Sequence, residues 1–216
     1  MKKIFLFICA TILTCTTVPA QEQSVNLGYT PGSLYTMSWN TTFTLGDYNK
    51  WVGNASTAGF DIGGRWFISH NMTAGFNLSW QRVGQSFGYQ TFYGDDGSAV
   101  TATNYRFTWM VPFQGAVAWH FMSDKMFSPY LGLGVGGDYM EHHLLIQDYD
   151  IYHNRWDFSL TPEVGALIRF GYFSNWGFLI AGNYKWTTNR IEFKHNWNSE
   201  HLQMINMKIG VVMFVR

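Results

Sequence analysis

The sequence predicts an all-β chain of eight antiparallel strands, run up and down and closed into a barrel. Three observations predict it. Apolar and polar residues alternate with period two in eight separate segments, which sorts them onto the two faces of a strand. The connections between segments are short and long in strict turn. Aromatic residues make up 19% of the 216 residues and charged ones only 13%, against a usual charged share of about a quarter, and the rings collect on one face of the alternation.

The first segment, 34–45, sets Tyr35, Met37, Trp39 and Phe43 on one face. The second carries Phe60, Ile62, Gly64, Trp66 and Ile68, with Asp61 and Arg65 between them. The third sets Met72, Ala74, Phe76, Leu78 and Trp80 against Thr73, Asn77, Ser79 and Gln81. In the fourth, 104–121, Tyr105, Phe107, Trp109, Phe113 and Trp119 oppose Arg106, Thr108, Gln114 and His120. The fifth, 129–141, alternates Leu131, Leu133, Val135 and Tyr139 with Gly132, Gly134, Gly136 and Asp138. Although "GLGVGG" at 132–137 is glycine-rich, it lacks dinucleotide-binding spacing and no helix follows, so it reads as strand.

The sixth, 155–170, sets Trp156, Phe158, Leu160 and Val164 against Asp157, Ser159, Glu163 and Arg169. The seventh, 176–187, opposes Trp176, Phe178, Ile180 and Trp186 to Asn183 and Lys185. The last, 203–216, opposes Ile205, Met207, Ile209 and Val211 to Asn206 and Lys208. Pro112 and Pro162 fall inside segments and predict a local bulge at each, because proline cannot donate to a ladder.

Tight turns are expected at 69–71, 122–126 and 172–175, and long polar loops at 46–54, 84–103, 142–154 and 188–201. The opening "MKKIFLFICATILTCTTVPA" has the basic start, short apolar run and small residues of a secretory signal peptide, cut before Gln21. That leaves residues 21–216 as a single barrel domain. Both cysteines, Cys9 and Cys15, lie in the leader. Thr14 fits poorly the small residue that lipidation of Cys15 requires, so ordinary cleavage is the expectation. Removing Lys2 and Lys3 from 14 basic residues leaves 12 against 14 acidic, a net charge of −2, which does not suggest nucleic acid.

Short turns on one side and long loops on the other are the layout of a barrel that crosses an outer membrane, with the loops outside. The aromatic face must then look outward. Eight of the ten tryptophans lie on it: Trp39, Trp66, Trp80, Trp109, Trp119, Trp156, Trp176 and Trp186. An eight-stranded barrel has an interior little larger than its own side chains, so it cannot enclose these rings as a lipocalin-like barrel would. Trp109 and Trp119 are ten residues apart, as are Trp176 and Trp186. That spacing rises roughly 25 Å along a membrane normal, the height of the band between aromatic girdles.

On leader, strand count, loop alternation and girdles, the whole mature chain resembles the small eight-stranded outer-membrane barrels of Gram-negative bacteria, such as outer membrane protein X and the transmembrane domain of outer membrane protein A. Those barrels commonly end on an aromatic residue, whereas this chain ends "VVMFVR". The resemblance implies outer-membrane lipid and lipopolysaccharide as surroundings, the barrel-assembly machinery during biogenesis, and an extracellular ligand met through the loops. It implies a monomer with no cofactor.

The inward charges are Asp61, Arg65, Arg106, Asp138, Glu163, Arg169, Lys185 and Lys208, and a Glu163–Lys185–Lys208 network is expected. Such a network reads as a plug that orders the barrel, since narrow barrels fill; a weakly anion-preferring pore is the alternative. Gly132, Gly134 and Gly136 would either give room to long side chains from across the lumen or leave space for water.

Small barrels of this kind also include enzymes that modify lipid A, and His195, Ser199, Glu200 and His201 supply residue types for acyl transfer. They show no deacylase or palmitoyltransferase pattern, and no catalytic residue is assigned. Glu141, His142 and His143 face His153 across a loop with Asp148 and Asp150, but adjacent histidines on a strand point to opposite faces, so no metal site is assigned. The function expected is non-enzymatic: an envelope or surface-interaction role through the outer loops, with the second loop, rich in Tyr, Phe and small polar residues, as a contact surface.

Overall fold

The computed structural model describes residues 32–53, 55–93, 96–146, 149–193, 197–198 and 201–215. The leader with Cys9 and Cys15, and His195, Ser199 and Glu200, lie outside them. Eight long strands form the barrel: β1 (Ser33–Leu45), β2 (Gly59–Ser69), β3 (Met72–Tyr93), β4 (Ala99–His120), β5 (Phe127–Ile146), β6 (Tyr149–Arg169), β7 (Trp176–Thr187) and β8 (Leu202–Val215). Each pairs antiparallel with the next, and β8 closes on β1 in one register from Ser33↔Val215 to Leu45↔Gln203. Closure satisfies the backbone through the whole ring, as a hydrocarbon solvent requires.

The two faces sort as the alternation dictates. Trp39 and Trp156 are 60% and 66% exposed on the outer surface, and Trp66, Trp80, Trp119 and Trp176 are exposed there too. Trp109 and Trp186 are half-buried, Trp109 packing edge-on against Tyr139 at 5.8 Å and Trp186 against His201 at 5.4 Å.

Four expectations are corrected. The second and third loops are mostly strand: β3 and β4 continue to Tyr93 and Ala99, and β5 and β6 to Ile146 and Tyr149. Backbone pairing carries these hairpins past the barrel rim, where neither face needs to be apolar. The first loop holds a helix, α1 (Gly46–Val52), with Tyr48, Trp51 and Val52 buried.

Neither proline causes a bulge. The β3–β4 ladder omits the pairs opposite Val111 and Pro112, yet Leu78↔Phe113 and Gln81↔Met110 lie in the same register. Leu160↔Trp186 and Glu163↔Asn183 likewise bracket Pro162 without a shift. A missing N–H breaks the ladder on one side only, and no inserted residue is needed. The shifts fall instead between Phe67 and Ser69, and between Phe87 and Gln90.

The interior is layered rather than polar throughout. The outer mouth is apolar, with α1 packed on Val83, Met110, Met140, Leu144 and Met204. The inner end is sealed by Leu34, Tyr130, Leu167, Leu179, Val212 and Phe214. Phe214, the aromatic residue nearest the C-terminus, points into the lumen and is buried. Between these layers lies a polar tier.

Candidate functional site

The polar tier is built from side chains that reach over intervening strands. Lys208 on β8 places Nζ 3.0 Å from Asp61 Oδ2 on β2 and 3.1 Å from Glu163 Oε2 on β6. Arg65 on β2 donates to Glu163 Oε1 at 3.0 Å across the lumen, and Tyr130 donates to the same oxygen at 2.8 Å. Ser79 donates to Asp61. Lys185 stands apart from this group: its Nζ lies 2.7 Å from Asp138 Oδ2 and 4.0 Å from Met110 Sδ.

The expected Glu163–Lys185 contact is therefore not made. Strand tilt carries Lys185 toward Asp138, two strands away, while Lys208 takes Glu163. Three carboxylates, Asp61, Asp138 and Glu163, meet three cations, Arg65, Lys185 and Lys208, all at least nine-tenths buried. The tier is neutral as a whole, and each charge has an opposite partner, the condition under which buried ions are tolerated.

The remaining two predicted charges lie at the ends. Arg106 is in the outer mouth, donating to Asn104 Oδ1 at 3.0 Å and Gln90 Oε1 at 2.6 Å, with its guanidinium between the rings of Trp51 and Phe87. Arg169 lies at the inner end, 4.2 Å from the Phe214 ring.

Of the three glycines of β5, Gly134 gives room to a long side chain, from the neighbouring strand rather than from across the lumen, whereas Gly136 faces backbone and Gly132 no close side chain. Gln114 on β4 crosses β5 and donates to Ser159 at 2.6 Å and Thr161 at 2.8 Å on β6. A Cβ on Gly134 would stand 2.9 Å from Gln114 Oε1, so glycine is what lets the side chain pass. Ser159 in turn donates to Asp138 at 3.0 Å, which ties this crossing to the Lys185 pair.

The stopper formed by α1 has a legible signal that the loop reading missed. Tyr48, Trp51 and Val52 fall at i, i+3 and i+4, with Asp47 and Lys50 facing out and paired at 2.8 Å. Gly46 (φ +58°) and Gly53 (φ +82°) bound the helix. Burial pushes the Tyr48 phenol far above its usual range.

Beyond Trp80 and Trp109, β3 to β6 continue as a four-stranded sheet. Its outer face carries a row of rings: Arg82 over Phe107 at 4.7 Å, Phe107 stacked on His143 at 4.3 Å, and His143 against Tyr152 at 5.8 Å. His143 lies between Asp150 (3.0 Å) and Glu141 (3.4 Å). His142 points inward and is held by Thr108 at 2.7 Å and Asn189 at 3.0 Å. Among the described residues no group of three or more His, Cys, Asp or Glu side chains is arranged to hold a metal ion. His201, the one described member of the proposed acyl-transfer set, packs on Trp186.

No protein-family profile and no curated protein sequence matches this chain. Solved structures do. Neisserial surface protein A is 11% identical, with a TM-score of 0.52 over 85% of this chain and 97% of that one. Ail, the attachment invasion locus protein of Yersinia pestis, solved in complex with the heparin analogue sucrose octasulfate, is 12% identical, with a TM-score of 0.48 over 84% of this chain and 96% of that one. The outer membrane protease OmpT from Escherichia coli is 9% identical, with a TM-score of 0.45 over 88% and 99%.

No described helix is long and apolar enough to cross a membrane, a property that leaves crossing by strands untouched. The strand count, closure, outward rings and likeness to Neisserial surface protein A agree: the chain has the fold of the small eight-stranded outer-membrane β-barrels.

Proposed function

We propose that this chain is a non-enzymatic surface-recognition protein whose barrel is an anchor and whose working part is the projecting sheet of β3 to β6. One observation carries the reading. These four strands run 20 to 22 residues, whereas β1, β2, β7 and β8 run 11 to 14. From Trp80 to its end at Tyr93, β3 rises roughly 30 Å beyond the upper girdle. A barrel that needed only to sit in lipid has no use for that length.

The sheet's composition suits contact. Tyr89, Tyr93, Tyr149 and Tyr152 are strongly exposed near its tip, and tyrosine offers large area with a polar end. Among the described residues nothing pairs with β3 on its outer side from Val83 to Tyr93, and "VGQSFGYQTFY" carries no charge or proline there. Unpaired, uncharged edges accept extended chains. The corresponding edge of β6 carries Asp150, His153, Arg155 and Asp157.

In this reading the eight outer tryptophans form the girdles that set the barrel's depth, and the charged tier is the plug that keeps it shut. The test is a chain with the β3–β4 hairpin shortened at the Phe87–Asn104 pair, displayed on cells beside the wild type. Equal folding with lost adherence to other cells or coated surfaces supports recognition by the sheet. Unchanged adherence, or a hydrolytic activity that survives the deletion, contradicts it.

A further inference from the structure

Beyond β7 the chain turns back across the outer mouth as a strap, Thr188–Ile191. Asn189 and Ile191 are fully buried, and Arg190 between them is exposed. Ile191 joins the apolar cluster that also holds α1. Thr188 ties the strap to β6, its N–H donating to Phe158 O at 3.0 Å and its hydroxyl to Asp157 Oδ1 at 3.2 Å. Asn189 ties it to β5: its Oδ1 lies 3.0 Å from Nε2 of His142, whose Nδ1 lies 2.7 Å from Thr108 Oγ1 on β4.

His142 is fully buried, and its partners suit an uncharged ring. Asn189 Oδ1 only accepts, so Nε2 carries the hydrogen, and Nδ1 accepts from the Thr108 hydroxyl.

The surroundings do not suit a charged ring. Register sets His153 of β6 beside His142 on the inner face. The inward rows on either side are Arg106, Leu144 and Ile151, and Met110, Met140 and Arg155. Among the described residues neither row holds a carboxylate. Asp138 and Asp157 stand one row further down, beside Lys185 at 2.7 Å and Arg155 at 3.0 Å. His143 faces outward between Glu141 and Asp150. From α1, Tyr48 is buried, while Asp47 and Lys50 pair with each other at the surface. A proton on His142 would therefore put an imidazolium in an apolar layer, next to His153, Arg106 and Arg155, and only exposure to water would relieve it.

We propose that His142 is an acid-sensitive latch: uncharged, it pins the Thr188–Ile191 strap across the outer mouth, and protonation releases the strap. Burial, offset in part by the Asn189 hydrogen bond and reinforced by His153 and His143, holds the imidazole down to about 4. Released to water it titrates near pH 6.5. The latch is complete above pH 6.5 and weakens as the pH falls from there toward 4.

The test is amide hydrogen exchange of the refolded mature chain in lipid nanodiscs, read at Asn189 and Ile191 and corrected for the intrinsic exchange rate. Lowering the pH from about 8 to about 5.5 should reduce their protection about tenfold. His142→Gln, polar but without a titrating group, should change by less than about twofold over the same range. Asp157 is present in both chains, so the difference belongs to His142. Trp51 and Val52 on α1 should keep their protection throughout. If His142→Gln does not fold, the imidazole nitrogen shifts of the wild type decide, with an uncharged ring protonated on Nε2 expected at neutral pH. Unchanged protection in the wild type, an equal loss in His142→Gln or at α1, or a charged imidazole at neutral pH would each overturn the latch.

Discussion

Replacing Lys185 by methionine asks directly whether the polar tier is dry. Lys185 and Asp138 are almost fully buried, 2.7 Å apart, and Met110 Sδ and the register partner Met204 provide apolar surroundings on the lysine's side. Methionine matches the lysine stem in length and fits beside them. The substitution leaves the Asp138 carboxylate with Ser159 as its remaining close donor. Breaking a buried pair by removing one partner costs about 3–5 kcal/mol, whereas removing both charges together is often close to neutral. Lys185→Met should therefore lose about 3–5 kcal/mol, and Lys185→Met with Asp138→Asn should return to within about 1 kcal/mol of wild type. Urea titration of the chain refolded in lipid vesicles, followed by tryptophan fluorescence, measures each variant and the double-mutant cycle. A loss below about 1 kcal/mol for Lys185→Met alone would refute the reasoning, because it would mean that water already solvates the pair.

Gly134→Val should displace Gln114 from Ser159 and Thr161 and cost about 1–3 kcal/mol, with Gln114→Ala restoring part of the loss in the same urea titration. Ile180→Arg, on the outer face midway between Trp176 and Trp186, should cost about 2–4 kcal/mol relative to Ile180→Ala, and a neutral result would argue against lipid contact there. Trp51→Ala should cost about 3–5 kcal/mol and loosen α1, read from the mobility of a spin label on a cysteine placed at position 50. The same label reports Tyr48. Its phenol is held neutral by burial while the released residue ionises near pH 10, so docking of α1 should be complete below about pH 10 and weaken above it. Tyr48→Phe should abolish that alkaline loosening.

The barrel was legible in the sequence because each strand alternates apolar with polar positions along its length, and Trp109, Trp119, Trp176 and Trp186 recur ten residues apart on the apolar face. The projecting hairpins were not, since beyond the rim neither face is constrained and residues such as Gln85, Ser86, Thr101 and Thr103 read as loop. The helix α1, at seven residues, is too short for periodicity to stand out, although Tyr48, Trp51 and Val52 carry its face. The inward charges were identifiable from parity alone. Their pairing was not, because tilt and long side chains let Lys185 pass over a strand to Asp138 and let Arg65 cross the lumen to Glu163. The apolar outer mouth followed from Met110, Met140 and Met204 standing on the same parity as the charges, a change along the strand that a face-by-face reading averages away.

The proposed role as an anchor requires a closed lumen, stoppered by α1, plugged by the charged tier and sealed at Phe214. Planar-bilayer recording of the refolded mature chain, beside Lys185→Glu, tests it most directly. A closed lumen gives a correctly folded chain with no discrete conductance steps. Steps in the wild type whose ion preference shifts in Lys185→Glu would contradict it and make the barrel a channel.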